Sequence, residues 1–212
     1  MSDGNPPRTG EPAAYAATER TRLRRHAERG SYDRVLVHAI LDEALVCHVG
    51  FVHDGQSHVI PTVFARVDEL LYVHGAVANR MLGALAGGQR ICCTVTLLDG
   101  LVLARSHMYH SMNYRSVVVL GAARDVTDPD EKRLAFQALI DRVEPGRSGR
   151  SRPANESELR TTRVLALPLV EVSAKVRSGP PLDPPEDRAL PYWAGVIPLT
   201  LARGEPIPDD AA

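Results

Sequence analysis

The chain has 212 residues, 44% hydrophobic and 24% charged, enough to bury the core of one globular domain without metals or disulfides. A formal net charge of −1 gives no electrostatic reason to expect a nucleic-acid or acidic-membrane partner. No apolar run reaches the ~18 residues of a membrane-spanning helix, so a soluble, cytoplasmic protein is expected.

Residues 1–12, MSDGNPPRTGEP, are polar and rich in Gly and Pro, with no apolar core of a signal peptide, and are expected to form a disordered tail. A single domain is expected over 13–202. Its first segment, AAYAATERTRLRRHAERG, has helix-forming composition and is strongly basic up to Gly30. Glu19 and Glu28 interrupt the charge and no aromatic stacking residues follow, so nucleic acid is not expected here. Asp33 offers an N-cap to RVLVHAILDEA, where Leu36, Ile40 and either Val37 or Leu41 share a face.

The pattern then turns to strands. LVCHVGFVHDGQSHVIPTVFARVDELLYVHG is rich in β-branched and aromatic residues, and Asp54-Gly55 is a two-residue hairpin signal. AVANRMLGALAGG reads as a short helix with Val77, Met81, Leu82 and Leu85 as its apolar positions. A second signal, Asp99-Gly100, is expected to join RICCTVTLL to LVLARSHMY as a hairpin. Cys92 and Cys93 lie in that apolar run, and with three cysteines in all they suggest reduced, buried thiols. A further strand is expected at about 114–124.

Asp128, Pro129 and Glu131 mark a helix start, as N-cap, first helical position and closing residue of a capping box. Asn155 and Glu158 suggest a short helix, and two strands follow at 163–169 and 170–176. SGPPLDPPEDRALPYWAGVIPL holds too much proline for a central strand and is expected to wrap the surface. Residues 203–212 read as a second disordered tail. Two D-G signals without βαβ alternation favour a small antiparallel barrel with peripheral helices, mainly β, over a Rossmann sheet.

Neither the dinucleotide glycine fingerprint nor the NTPase phosphate loop is present, and no G-x-S-x-G elbow appears. His53 with His58 and His107 with His110 lack an H-E-x-x-H pattern and carboxylates at ligand spacing, so no metal site is expected. Two features hold chemistry. In LLYVHGAVANRMLGAL a strand runs through His74-Gly75 into a helix whose first turn carries Asn79 and Arg80, a place suited to phosphate. An Arg there opposes the helix macrodipole by ~0.3–1 kcal/mol, a cost that a charge-assisted bond to phosphate outweighs. A solvated surface Arg is the plain alternative. Pro61, in SHVIPTVFAR, marks a strand edge or an opening that would expose the backbone of Ile60 and Thr62 to a planar ligand.

Together ERGSYDRVLVHAILDEALVCHVGF, HVIPTVFA, LYVHGAVANRML, HSMNYRSVVVLGAAR and YWAGVIPL resemble the pyridoxamine 5′-phosphate oxidase-related FMN-binding split-barrel family, in its flavin-nucleotide-binding and nitroimidazole-reductase-like branch. The resemblance covers roughly residues 20–200. It implies a homodimer of six-stranded antiparallel Greek-key split barrels with FMN at the subunit interface. Pro61, Thr62 and Val63 would lie along the flavin ring, and His74 and Gly75 would approach the ribityl chain or ring edge. Asn79 and Arg80 match the family's Ser-Arg phosphate position, while Arg115 and Ser116 match an Arg-Gln pair that reaches flavin across the dimer. Trp193 resembles a C-terminal aromatic that closes over the cofactor. The Arg-x-His pair that ends the true oxidases is missing, so the expected activity is a different FMN-dependent oxidoreduction. Its substrate would be small and planar, its reductant NAD(P)H or another donor, with His74 the candidate near the reacting face. A non-catalytic flavin binder and a haem-binding split barrel are the alternatives.

Overall fold

The computed structural model describes residues 12–209. The expected N-terminal tail, Pro12 apart, and residues 210–212 of the C-terminal one lie outside that range, and residues 203–209 form no helix or strand. The chain divides into two compact units: residues through Leu97 with Arg115–Val176, and Leu98–Tyr114 with the residues from Arg177 onward.

The first unit contains β1 (Gly30–Ser31), α1 (Arg34–Glu43), β2 (Val46–His53), β3 (Gln56–Val67), β4 (Leu70–Ala76) and α2 (Arg80–Ala86). β5 (Arg90–Leu103) starts there, and β6 (Ser111–Ala122) ends there, followed by β7 (Arg124–Asp125), α3 (Pro129–Val143), α4 (Glu156–Thr161), β8 (Thr162–Pro168) and β9 (Glu171–Arg177). β10 (Gly195–Pro198) belongs to the second unit and pairs with the far end of β5. The strand order is β1-β9-β6-β5-β2-β3-β4-β8-β7, with β10 on β5.

The sheet therefore has ten strands, not the expected six. Two of the additions, β1 and β7, are two residues long and leave no alternating pattern to read. Another of the four, β10, forms inside the proline-rich end.

The two D-G pairs do different things. Asp54 and Gly55 both have positive φ, 50° and 77°, and close the β2–β3 hairpin with His53 opposite Gln56. Asp99-Gly100 makes no turn, because β5 runs straight through it. Gly100 is there for a close approach: a Cβ on it would meet Val196 Cγ1 at 3.0 Å and the Ile197 carbonyl at 3.1 Å, both on β10. The β3–β4 turn instead uses Asp68, at φ 50°, with no glycine to announce it.

The helix expected over 13–30 is absent apart from one 3-10 turn at Ala27–Arg29. Tertiary contacts override its composition. Ala14 bridges Asp33, the Tyr15 N–H donates to the Tyr32 carbonyl at 2.8 Å, and the Tyr15 ring is buried in the core.

The helix starts largely follow the sequence. Asp33 accepts from the Leu36 N–H at 2.8 Å, and Asn155 and Glu158 form a reciprocal capping box. Asp128 caps α3 through the Asp130 N–H at 3.0 Å, but Glu131 closes no box. Its carboxylate takes the Tyr72 hydroxyl at 2.8 Å and the Arg124 guanidinium at 2.6 Å instead. A charged donor and a phenol outcompete one helix-terminal N–H for it. The main core gathers Val37, Ile40 and Leu41 of α1, Leu82 and Leu85 of α2, and inward residues of the strands such as Phe51, Phe64 and Val117. Cys47 and Cys93 are buried free thiols in it, and a hydrogen bond between them pushes the Cys93 thiol up.

Candidate functional site

β3 changes partners midway. Residues 56–63 pair with β2, and residues 64–67 pair with β4. The first half thus has β2 on one side and an open edge on the other. Pro61, Thr62 and Val63 all lie in that half, with Pro61 opposite His48 and exposed. Val59 and Ile60 beside them are 64% and 39% exposed, so the open edge borders apolar surface. Such a surface, with backbone groups at its rim, suits a flat ligand with polar edges.

His74 and Gly75 end β4 and, by strand alternation, face opposite ways. His74 shares the face of Tyr72, whose hydroxyl reaches Glu131 on α3, and its ring meets Phe136 of the same helix edge-on at 5.8 Å. Nδ1 of His74 is buried without a hydrogen-bond partner, and loss of water holds the imidazole below its ordinary pKa. Gly75 faces α2. A Cβ on it would come within 2.9 Å of Leu82 Cδ1 and 3.6 Å of Asn79 Nδ2, so glycine lets the strand end meet the helix start. The two neighbours therefore serve different sides of the sheet.

Asn79 is the N-cap of α2, its Oδ1 accepting from the Leu82 N–H at 3.2 Å. The carbonyl end of its side chain is committed to the helix. Arg80 follows as the first helical residue, exposed, and forms no ion pair or hydrogen bond among the described residues. Arg115 is held differently: its guanidinium forks the Glu43 carboxylate at the end of α1, one contact measuring 2.8 Å. Ser116 donates to the Lys175 carbonyl at 3.3 Å. Trp193 belongs to the second unit, where its six-membered ring lies against Gly195 and 65% of the residue stays exposed.

A further cluster lies outside the expected residues. The Tyr15 hydroxyl donates to Glu69 at 2.8 Å and sits 2.9 Å from His38 Nε2, while Arg34 lies 4.3 Å over the Tyr15 ring and 2.6 Å from Glu69. Burial, then the bond to Glu69, drives the phenol's pKa far up, so it remains a hydroxyl. Desolvation lowers the His38 pKa. No motif marks this cluster, because its members come from the N-terminal segment, α1 and the β3–β4 turn. Phe136, the neighbour of His74, reads in sequence only as one apolar position of α3.

The model of the family described as pyridoxamine 5′-phosphate oxidase matches residues 33–176. No curated protein matches the chain. Among solved structures, the flavocytochrome Anf3 from Azotobacter vinelandii is 42% identical, covers 93% of this chain and 92% of its own, and superposes with a TM-score of 0.88. A protein described as FAD- and heme-binding, from Mycobacterium smegmatis, is 37% identical over 87% of this chain and 90% of its own, with a TM-score of 0.83. A candidate 5-nitroimidazole antibiotic resistance protein from Bacteroides thetaiotaomicron VPI-5482 shares the fold at 23% identity over 69% of this chain and 86% of its own, TM-score 0.59. The mostly antiparallel sheet, its peripheral helices and the matched residues together place the chain in the pyridoxamine 5′-phosphate oxidase-like family of split barrels.

Proposed function

We propose that the protein is a redox flavoprotein that also binds haem, works as a homodimer, and passes electrons between a reductant such as NAD(P)H and a small planar acceptor. The observation that carries this reading is the pair of relatives at 42% and 37% identity, each covering most of this chain, one named a flavocytochrome and the other FAD- and heme-binding.

The residues present fit both groups. For a flavin, the half-open β3 edge at Pro61, Thr62 and Val63 offers backbone groups beside apolar surface, and Arg80 is a cation in need of an anion. Arg80 would take the phosphate next to the ribityl chain, and the free amide end of Asn79 would assist it. That phosphate is common to FMN and FAD. The family expectation is FMN, but the cofactor named for the Mycobacterium smegmatis relative favours FAD.

For haem, the histidines separate by chemistry. His38 is tied to Tyr15 and Glu69, His26 to Glu28, and His110 to the Ser106 carbonyl. Among the described residues only His74 holds a buried ring nitrogen without a partner. Desolvation keeps it in the neutral form that ligates iron. His74 is therefore the residue we assign to haem, in place of a role at the reacting face of the flavin.

A bound flavin supplies hydride or electron transfer, and a haem one-electron chemistry. The chain itself binds, orients and excludes water. An absorbance spectrum of the purified protein tests the reading directly. Flavin bands together with a Soret band are expected, and extracted flavin identified by mass separates FAD from FMN. The His74→Ala variant should keep the flavin bands and lose the Soret band. A colourless protein that takes up neither added flavin nor hemin would overturn the proposal, and a Soret band that survives in the variant would overturn the His74 assignment.

A further inference from the structure

The second unit holds a cavity of about 420 Å³ that none of the expected residues lines. That volume lies in the range of small-molecule sites. Its walls are Arg105, the run Pro180–Asp183, Arg188, Ala194 and Gly195. Asp183 is buried and already matched: one carboxylate oxygen accepts the Arg105 N–H at 2.9 Å and the other its Nη1 at 2.6 Å. These two charges cancel. Nε of Arg105 remains buried without a partner, and Arg188 makes no hydrogen bond or ion pair among the described residues. The cavity wall thus carries two guanidinium groups against one carboxylate, a net positive charge.

A flat aromatic borders the cavity through one of its wall residues. Gly195 lines the cavity, and the six-membered ring of Trp193 packs on it so closely that a Cβ there would lie 2.7 Å from Cζ2. Trp193 as a whole remains largely exposed. A cation that wants an oxyanion, an exposed indole that stacks planar rings, and apolar prolines between them match one ligand chemistry.

We propose that this cavity is a nucleoside-phosphate site, with Arg188 taking the phosphate and Trp193 stacking the base. A purine nucleotide has both parts joined at short range. A soluble pyridine dinucleotide would carry such an adenylate. The site itself stands on the cavity alone, and only its assignment to a reductant rests on the redox reading above.

The experiment titrates the full-length, cofactor-replete protein with AMP, adenosine and inorganic phosphate by calorimetry. Trp193 emission is followed in parallel, since it is the only tryptophan in the chain. AMP should bind and quench that emission, and adenosine and phosphate should each bind at least about tenfold more weakly. Arg188→Ala and Arg188→Gln should each weaken AMP about tenfold or more, with the circular dichroism unchanged, and Arg188→Lys should weaken it less. Trp193→Leu should bring AMP down to the level of phosphate. AMP that binds the replete protein and competes with NADPH identifies a reductant site. AMP that binds only after flavin removal and competes with FAD would overturn the proposal, since it would report the cofactor's own adenylate. No AMP binding in either preparation, equal binding of AMP and adenosine, or unchanged affinity in both Arg188 variants would overturn the proposal. None of these readouts depends on haem or on turnover, so the two proposals fail separately.

Discussion

Arg80 occupies the first position of α2, where the helix dipole is unfavourable to a cation and no carboxylate among the described residues pairs with it. Arg115, which the resemblance implies reaches flavin across the dimer, has its guanidinium forked on the Glu43 carboxylate. The two arginines look alike in sequence, since each stands next to a small polar residue, Asn79 or Ser116. Only the structure separates a spare guanidinium from a bound one. Replacing Arg80 by Ala should therefore reduce flavin affinity by about tenfold or more, ~1.5 kcal/mol, measured by titrating the flavin-stripped protein. An unchanged dissociation constant would remove Arg80 from the site. His74 and Gly75 teach the same lesson from the other side. Their adjacency was legible, but strand alternation sends one toward Phe136 and the other toward Leu82. No property of either residue alone reveals which neighbour lies across each face.

At the scale of the element, local chemistry was readable wherever it is self-contained. Asp33, Asp128 and Asn155 cap the helices they precede, because an N-cap needs only an oxygen and the N–H groups just after it. The reading failed where a distant partner decides. Glu131 leaves its helix terminus for Arg124 and Tyr72, and burial and this bond together raise the Tyr72 phenol to about 12. The segment around Tyr15 gives up helical propensity for contacts with Tyr32, Glu69 and the core. Gly100 is the clearest case, a glycine required by β10 and misread as a turn. Gly100→Val should loosen that strand, because the added side chain would have to share space with Val196 and the Ile197 carbonyl. We expect faster amide exchange at residues 195–197 and a loss of ~1–3 kcal/mol in stability. Protection at 195–197 equal to that of the parent would show that the close approach is dispensable.

For the molecule as a whole, burial of histidine makes stability depend on pH. His38 and His74 have folded-state pKa values lowered, in each case chiefly by desolvation, from an ordinary 6.5. Below about pH 6.5 the unfolded chain binds protons that the folded chain refuses. Their contribution is complete above that value and declines as the solution is acidified toward the folded pKa. Glu131, held low by Arg124, and Asp183, held low by bonds from Arg105, add a loss of the same sign at more acid pH, below about 4.5. Unfolding midpoints in denaturant should thus fall in two stages as pH is lowered, with His74→Gln shrinking the first. A midpoint constant between pH 7.5 and 5.5 would contradict the account.

The open half of β3 carries a hazard as well as a use. A row of unpaired strand groups next to exposed Val59 and Ile60 is a template on which another extended chain can add, the first step toward edge-to-edge aggregation. Pro61 lies inside that half and has no N–H to offer to either neighbour. A proline that would border the flavin under the proposed function would also make this edge a poorer template for further strands.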